Sequence, residues 1–483
     1  MAMIAKLLHI MRALPMPGRW RPWLLAALAM KLSYFAISLQ QPDAAYPGSF
    51  ARCNAECPSY TWPVDSLVES GAYAPDFRMP GYAVHYLPLR LILPKPMAMN
   101  AVVVAQLMLD VLATGALAMG AYLLTGSRAV HLIIFLLYGL APTVSGFSIF
   151  AMSESPCASA MALSFYAGAR YERSGDPRLL LLASALMTWA YFLRPVAAVF
   201  LMMGGLALVP LMLRQGRRSA WHLVVAAAPV VLAQGAWTYR NAQKTGRLFL
   251  FTRSTYHEMY NSTTLAMWRF VGTFDDKTAY YGFYCADYAA PWRIKGDPER
   301  EFPDWIFTEA FNADSLQELR KLCPLLLADT VAAAERDRID AQLAERFTRY
   351  ADSIREEHPW RVRIVTPARR VAQQLIGSSG VLHLFRATFS SLAPWEKAVK
   401  LGGALVYKLA LLGALFFIPW AFYRRTWPGI LLAVAMAYAL VIHAGIMGFG
   451  DVRYLYVFYP LMCLCAGLVF GGWLNSRRSS PAA

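Results

Sequence analysis

Acidic and arginine side chains are concentrated in one stretch of the chain, ECPSYTWPVDSLVESGAYAPDFRMPGY, at residues 56–82. Its charged residues include Glu56, Asp65 and Arg78. A carboxylate can accept a proton from a hydroxyl or an amine, and the arginine fork matches the geometry of a phosphate. These residue types favour proton transfer to a carboxylate beside a bound phosphate.

Other arginines lie at the ends of apolar segments. They are Arg194 in YFLRP, Arg240 in WTYRN and Arg453 in GFGDVRYLY. Two interpretations stay open. The arginines snorkel to lipid headgroups or pair with Asp451 and Glu154, or they bind one anionic ligand together with Arg78. We favour the shared phosphate site, because otherwise four separate segments would converge by accident.

The elements that must position these residues are membrane helices. The chain is 57% hydrophobic and only 16% charged, and several apolar runs reach the roughly 20 residues that cross a bilayer. We therefore predict an all-α polytopic membrane protein with about ten transmembrane helices. The predicted spans lie near residues 22–39, 98–124, 130–150, 156–170, 179–193, 196–213, 222–239, 401–423, 428–448 and 455–474.

Basic loops set the orientation of these spans. Arginines occupy each short loop that a cytoplasmic N-terminus would place inside, as in the loops at residues 170–178 and 214–218. By the positive-inside rule, both termini are expected to be cytoplasmic. Residues 40–97 and 240–400 are then extracytoplasmic. The acids within or beside the membrane are Glu154, which we expect to belong to the site, and Asp110, which we expect to be paired structurally.

Three regions follow from this topology. Residues 1–239 form a transmembrane module with the first outer loop at 40–97, residues 240–400 form a mainly helical extracytoplasmic subdomain, and residues 401–483 supply C-terminal helices and a cytoplasmic tail. Apolar residues at helical spacing predict an amphipathic helix over 331–354 that ends before Pro359. The stretch WRVRIVTPARRVAQQLIG, which begins at Trp360, suits a helix along the lipid headgroups.

Cysteines in the outer regions favour disulfides over unpaired thiols or a metal site. These cysteines are Cys53, Cys57, Cys285 and Cys323. No metal ligand is assigned, because no histidine cluster of suitable spacing accompanies them; the outer acids leave a divalent cation open as a cofactor.

Several classes of protein are disfavoured. The net charge of +16 is spread over short loops, which argues against nucleic-acid binding. The chain has neither a Walker phosphate loop nor a G-x-G-x-x-G fingerprint after a strand, and no Ser/His/Asp constellation is evident. A lipid-phosphate donor, entering laterally from the bilayer, would instead reach the acids and arginines outside the membrane. This setting suits general-base glycosyl transfer, in which the phosphate leaves a sugar carbon.

The same features resemble a known family. The chain is similar to the polytopic GT-C glycosyltransferases that use polyprenyl-phosphate sugars, a group that contains protein O-mannosyltransferases and the lipid A aminoarabinose transferase. The first outer loop carries the family spacing from acid to glycine and the segment RMPGY at 78–82, and SE follows at 153–154. RNAQKTG and DVRYLYVFYP resemble two further family segments. The residues that hold the first-loop spacing are Glu56, Tyr60, Val64, Leu67 and Gly71.

The resemblance implies roles for individual residues. The catalytic base falls on Glu56, where relatives usually have aspartate, and Asp65 is the alternative. The donor phosphate would be bound by arginines. These are Arg78, Arg194, Arg240 and Arg453. Glu154, Tyr60 and Tyr82 would support the site, the tyrosines by stacking on sugar faces or as part of an interfacial aromatic belt.

The expected partners are a polyprenyl-phosphate-linked sugar donor, membrane lipid, and an acceptor that is a glycan, a lipid or a protein. The expected location is the inner (plasma) membrane, with the active site outside the cytoplasm. Two other functions stay open. A flippase or transporter for an anionic lipid would also place arginines at one mouth, and an oligosaccharide ligase with a lipid-diphosphate donor would not require the first-loop acid.

Overall fold

The computed structural model describes residues 19–41, 45–53, 56–74, 78–210, 217–245, 248, 262–275, 303–322, 325, 331–377, 379–381, 384–385, 387–446, 448 and 452–479. Regular structure in these residues is helical, as the apolar runs predicted. Two isolated β-bridges, Ala45 with Arg52 and Arg52 with Phe150, are the extended pairings among them.

The α-helices are numbered along the chain. They are α1 (Trp20–Leu39), α2 (Pro58–Ser70), α3 (Ala83–Ile92), α4 (Lys95–Thr125), α5 (Arg128–Leu140), α6 (Pro142–Ser148), α7 (Glu154–Ser174), α8 (Pro177–Leu193), α9 (Ala198–Ala207), α10 (Arg217–Thr245), α11 (Ser262–Val271), α12 (Ala313–Leu322), α13 (Ala333–Glu357), α14 (Thr366–Gly377), α15 (Pro394–Arg424), α16 (Trp427–Ala437), α17 (His443–Gly445), α18 (Arg453–Val457) and α19 (Tyr459–Ser479).

Several helices are long and apolar enough to cross a membrane. Among the described residues there are five, namely α1, α4, the Trp221–Lys244 part of α10, α15 and the helix Trp427–Gly445. A sixth arises if α5 and α6, which meet at a bend of 44°, form one broken span. These helices indicate an integral membrane protein. Shorter apolar helices occupy Pro177–Leu193, Pro195–Ala207 and Tyr459–Leu474.

The chain divides into two compact units. One unit comprises residues 1–250, 379–438 and 453–483, and the other comprises residues 251–378 and 439–452. In the first unit, α4 packs against α1, α5 and α7, and α19 packs against α5 and α15. Glycines permit the closest approaches: a Cβ at Gly413 would overlap Ala466, and one at Gly467 would overlap Ile134. Small residues at such contacts are typical of membrane helix packing.

The second unit is built around α13. Side chains on one face of α13, including Leu343, Phe347 and Ile354, pack with Phe270 of α11 in an apolar core. The amphipathic helix predicted over 331–354 is therefore confirmed, although it begins at Ala333 and ends at Glu357. The stretch from Trp360 continues as a π-helix over Arg361–Val365 and then as α14, and its location at the lipid headgroups stays a prediction.

A buried ion pair lies among the helices of the first unit. Lys31 Nζ of α1 is 3.2 Å from Asp110 Oδ2 of α4, and both side chains are fully buried. Lys31 also donates to Ser145 Oγ and to the Tyr138 carbonyl oxygen, and Ser145 donates to Asp110 at 2.8 Å. The expectation that Asp110 is paired structurally is confirmed, because lysine supplies the opposite charge that a buried carboxylate needs.

Candidate functional site

The centre of the candidate site is the guanidinium of Arg453, the first residue of α18. Its Nη1 and Nη2 donate to Oε1 and Oε2 of Glu56 at 2.6 and 2.8 Å. Its Nη2 and Nε also donate to Oε1 of Glu154 at 2.5 and 3.1 Å. The two-pronged contact with Glu56 is the strong geometry for an arginine and a carboxylate. Arg453 thus joins two acids that are distant in sequence.

A second arginine lies on the buried side of Glu154. Arg194, which follows α8, donates through Nη2 to Glu154 Oε1 at 2.5 Å and through Nε to Ser153 Oγ at 3.0 Å. Ser153 in turn donates to the hydroxyl oxygen of Tyr60 at 3.0 Å. The side chains of Arg194 and Glu154 are only 9% and 2% exposed. This part of the site is a fixed, dehydrated hydrogen-bond network.

The outer side of the site is formed by Arg78. Its guanidinium lies 4.5 Å from the centre of the Tyr60 ring, and its Nε donates to Ser59 Oγ at 3.1 Å. Its Nη2 is 3.5 Å from Glu56 Oε2, a longer ion pair. The side chains of Arg78 and Glu56 are 39% and 33% exposed. Arginines therefore line the site from its buried end to its open end.

Charge controls the ionisation of Glu56. Burial alone would raise the pKa of this carboxyl, but hydrogen bonds and charge from Arg453, with the charges of Arg78 and Arg194 beyond it, lower the pKa to about 2. Glu56 is consequently ionised at any physiological pH. Its ion pairs stabilise the fold fully above the ordinary pKa of 4.5, and this stabilisation is lost as the pH falls through the lowered value.

A short backbone pairing brings Glu56 and Glu154 together. The Arg52 amide donates to the Ile149 carbonyl at 2.9 Å, and the Ala151 amide donates to the Arg52 carbonyl at 3.3 Å. The pairing fixes the segment before Glu56 alongside the turn that precedes Glu154 at the start of α7. Glu154 also gains from its place in the first turn of that helix, where the helix dipole favours negative charge.

Gln106 of α4 holds that same turn from inside the protein. Its side chain is fully buried, and its Nε2 donates to the carbonyl oxygens of Ser148 and Phe150 at 2.9 and 2.8 Å. Its Oε1 accepts a hydrogen bond from the Tyr82 hydroxyl at 3.1 Å. Gln106 is therefore a positioning residue that links the turn before Glu154 to the first outer loop.

Gly81 explains why RMPGY contains a glycine. A Cβ at this position would overlap the backbone of Phe192 and Leu193, and the Trp189 indole N–H donates to the Gly81 carbonyl oxygen at 2.9 Å. The first loop therefore lies directly against the end of α8. This close approach places the segment that carries Arg78 beside the residue that follows α8, Arg194.

We expect Gly81→Ala to lower the free energy of unfolding by about 1–3 kcal/mol, because the new methyl group forces the loop away from α8. The measurement is thermal unfolding of the purified chain in detergent. Gly168→Ala is the matched control. A Cβ there meets nothing within 4 Å, and alanine in a helix is expected to be neutral or stabilising. Equal unfolding temperatures for the two variants would contradict this explanation of the glycine.

Asp65 has a different set of partners. Its Oδ1 accepts from Arg90 Nε at 2.9 Å and from the Tyr86 hydroxyl at 3.1 Å, and its Oδ2 lies 2.9 Å from Lys95 Nζ. Asp65 as a whole is only 3% exposed. These contacts join α2 to α3 and to the start of α4. The ion pairs of Asp65 with Arg90 and Lys95 differ from those of Glu56 with Arg78 and Arg453, and the described contacts of Asp65 are those of a structural carboxylate.

Arg240 likewise lies in separate surroundings. Its Nη2 donates to the Tyr73 carbonyl oxygen at 3.1 Å, and its guanidinium is 4.8 Å from the ring centre of Trp237. Arg78, Arg194 and Arg453 are brought together around the two glutamates, whereas Arg240 packs on aromatic side chains near the end of α10. Of the two interpretations of the arginines, pairing with Glu154 is seen for Arg194 and Arg453.

The tyrosines of the first loop are buried. Tyr60 and Tyr82 are each 2% exposed, and their rings lie 5.6 Å apart. Their ring faces are therefore packed within the protein and are not open for stacking on a sugar. Tyr60 instead supports Arg78 and Ser153, and Tyr82 supports Gln106.

Cys53 and Cys57 are not joined in a disulfide to each other or to another described cysteine. Cys57 is buried, and its Sγ donates to the Arg52 carbonyl oxygen at 3.6 Å. The expectation of a disulfide is therefore wrong for a bond between Cys53 and Cys57, and a bond from either of them to Cys285 or Cys323 stays a prediction. Cys285, Cys323 and Asp451 lie outside the described residues. Within those residues, no group of three or more His, Cys, Asp or Glu side chains is arranged to hold a metal ion.

Sequence reasoning did not identify Gln106 or Lys31 as supporting residues. Both are polar side chains within long apolar runs, and this rarity is a usable signal, because such residues in membrane helices usually have a partner or a role. Sequence reasoning also missed Arg52, whose backbone pairing could be made by any residue except proline, and whose buried side chain donates to the carbonyl oxygens of Leu39 and Gln41.

No protein-family model matches this chain, and no curated protein matches it.

Proposed function

We propose that this protein is a membrane glycosyltransferase that moves a sugar from a polyprenyl-phosphate donor to an acceptor on the extracytoplasmic side. One observation carries the proposal. A carboxylate from the first loop, Glu56, lies against Arg78 and Arg453 at the open side of a cluster that also contains Arg194. The family resemblance assigns a base and phosphate ligands to residues of this same cluster.

The chemistry follows from these groups. The acceptor oxygen or nitrogen attacks the anomeric carbon of the sugar, the bond from that carbon to the phosphate oxygen breaks, and the polyprenyl phosphate leaves with the bonding electrons. Glu56 takes the proton from the acceptor, and Arg78 and Arg453 stabilise the negative charge of the leaving phosphate. A single carboxylate suffices for such a direct displacement, which inverts the anomeric configuration.

The arginines divide into two roles in this proposal. Arg78 and Arg453 contact the phosphate, because both form ion pairs with Glu56, whose side chain is 33% exposed, and Arg78 is itself 39% exposed. Arg194 is 9% exposed and already bonded to Glu154 and Ser153, so it positions Glu154 instead. Arg240 is omitted from the phosphate contacts because it packs on Trp237 and Tyr73.

The full proposal includes ten spans, cytoplasmic termini and an extracytoplasmic site in the plasma membrane. Its support is the parity of the spans. With a cytoplasmic N-terminus, alternation assigns the outer side to Glu56 after span one, Glu154 before span four, Arg194 after span five and Arg453 before span ten. These residues do meet in one cluster. If an odd number of spans between two of these residues had been missed or added, the alternation would have assigned them to opposite sides of the membrane.

Reporter fusions test this orientation. Alkaline phosphatase, which is active only outside the cytoplasm, is expected to be active when fused after Gly71 and inactive when fused after Gly175, in the turn between α7 and α8. A green fluorescent protein fused at the C-terminus is expected to fluoresce. Phosphatase activity at both positions would contradict the proposed topology, as would a dark C-terminal fusion that is present at full length.

Transfer itself is tested with radiolabelled sugar in membranes that contain the protein and are supplied with polyprenyl-phosphate donors. Membranes without the protein are the control. Label in an extracytoplasmic acceptor supports the proposal. Transfer that requires a lipid-diphosphate donor would identify an oligosaccharide ligase instead. Movement of labelled lipid across the bilayer without transfer would identify a flippase.

A further inference from the structure

Arg453, the arginine at the centre of the site that is proposed to bind the donor phosphate, already has its hydrogen-bond donors in use. All three guanidinium nitrogens of Arg453 donate to carboxylates: Nη1 to Glu56, Nε to Glu154, and Nη2 to both, at 2.5–3.1 Å. An incoming phosphate that uses the same fork must replace one of these carboxylates, because a guanidinium offers a limited set of donors in one plane.

Glu154 is the carboxylate that stays. Its side chain is 2% exposed, and Arg194 holds the same oxygen at 2.5 Å from the other side. Moving Glu154 away would leave Arg194 as a buried charge without its partner, and such a break is costly.

Glu56 is the carboxylate that can leave. Its side chain is 33% exposed, and it precedes α2 instead of lying within a helix. Away from Arg453, its carboxylate can be hydrated or can remain near Arg78, which is itself 39% exposed. Exchanging Glu56 for another anion keeps Arg453, which is only 14% exposed, paired with a negative charge, so the exchange avoids the cost of leaving a buried guanidinium without a partner.

We propose that the donor phosphate and Glu56 compete for Arg453, so that binding of the donor releases Glu56 and makes it available as the base. This inference rests on the proposed function and adds a compulsory order: the donor binds before the acceptor can react. Without donor, Glu56 is held by guanidinium and cannot take a proton. With donor, the phosphate occupies the fork, and Glu56 faces the acceptor.

Charge supports the exchange and indicates the ligand class. Among the described residues, Arg78, Arg194 and Arg453 carry one more charge than Glu56 and Glu154 together, so this part of the cluster has a net charge of plus one. A phosphodiester, such as a sugar phosphate linked to a polyprenyl chain, carries a single negative charge and neutralises this surplus. The pKa of Glu56, now about 2, rises when the guanidinium turns to the phosphate, which makes the carboxylate a stronger base at the moment of reaction.

Binding of a soluble phosphodiester tests the competition. The probe is farnesyl methyl phosphate, titrated against the full-length chain in detergent. Glu56→Gln is expected to bind the probe about tenfold more tightly than the wild type, because a neutral amide competes weakly for Arg453. Glu69→Gln is the matched control: the same substitution on α2, at a side chain that is 60% exposed and pairs with Arg90, is expected to leave affinity unchanged.

Affinity of Glu56→Gln equal to or weaker than that of Glu69→Gln would overturn the inference. A second test uses only the wild-type protein and so does not depend on folding of the variant. In this test, carboxyl groups are labelled with a water-soluble carbodiimide and an amine. The probe is expected to increase labelling of Glu56 and to leave Glu69 unchanged. Labelling of Glu56 that is unchanged or reduced would count against its release.

The two proposals fail in different ways. If the wild type transfers sugar but Glu56→Gln binds the probe no more tightly, the exchange is wrong and the transferase stands. If Glu56→Gln binds more tightly but the wild type transfers nothing from any donor, the exchange at Arg453 stands as a property of an anion site and the transferase is wrong.

Discussion

Glu56→Gln is expected to lower sugar transfer by about 10²–10⁴-fold, the usual contribution of a general base. Glutamine keeps the size of the side chain and can still accept a hydrogen bond from Arg453, so we expect the site to stay assembled. What is lost is the group that takes the acceptor proton. The measurement is transfer of radiolabelled sugar in membranes, normalised to the amount of folded protein from fluorescence-detected gel filtration.

Asp65→Asn is the informative comparison, because Asp65 is the alternative base. We expect this variant to keep its transfer rate per folded molecule while lowering the amount of folded protein, since Asp65 joins Arg90, Lys95 and Tyr86. The reverse pattern, in which Asp65→Asn folds normally and fails to transfer while Glu56→Gln transfers normally, would move the base to Asp65. Normal transfer by both would remove the first-loop acids from the mechanism.

The transfer assay and the binding experiment together make a strict test of Glu56→Gln. A variant that binds the donor phosphate more tightly and yet transfers almost nothing is unusual, because loss of a site residue generally weakens both steps. We expect this combination for Glu56→Gln because Glu56 opposes binding of the donor phosphate but promotes reaction of the acceptor. It excludes the phosphate from Arg453, and it accepts the proton of the acceptor.

The sequence predicted the all-helical architecture, although its ten membrane spans stay a prediction, and the reason for this success is physical. Long apolar runs ended by glycine or followed by proline, such as the run that became α4 with Gly126 after it, satisfy both the bilayer and the backbone. It also predicted that Glu154, Arg194 and Arg453 share a site, because the parity of the spans assigned them to one side of the membrane. The predicted side of the membrane tells how deep a residue lies along the bundle axis, but it does not tell which helices surround that residue.

That limit explains why two of the candidate residues, Arg240 and Asp65, have other partners in the structure than Glu56 and Arg453 do. Arg240 is at the same predicted depth as Arg194, but α10 packs against α8 with aromatic residues between, and its guanidinium lies over Trp237. Asp65 is close to Glu56 in sequence, yet α2 turns it toward Arg90 of α3 and Lys95 of α4. Only the packing of α2, α3 and α4 on one another decides which acid meets which base.

The buried pair inside the bundle gives the largest expected effect on stability. Lys31→Met is expected to lower the free energy of unfolding by about 3–5 kcal/mol, because Asp110 is then a buried charge without its cation. Both side chains are fully buried, so water cannot replace the lysine. The measurement is the unfolding midpoint in detergent. Lys408→Met, the same change at a half-buried position of α15, is the control and is expected to have a small effect.

The double variant Lys31→Met/Asp110→Leu is expected to recover most of this loss, because replacing both members of a buried pair by apolar groups is often neutral or stabilising. Ser145, which now bonds both charges, lies on α6, and α6 leads into the turn before Glu154. We therefore expect the single variant to lose transfer along with stability and the double variant to regain it. A double variant as unstable as Lys31→Met would mean that the pair does more than neutralise charge. A stable single variant would mean that Asp110 does not depend on Lys31 as its cation.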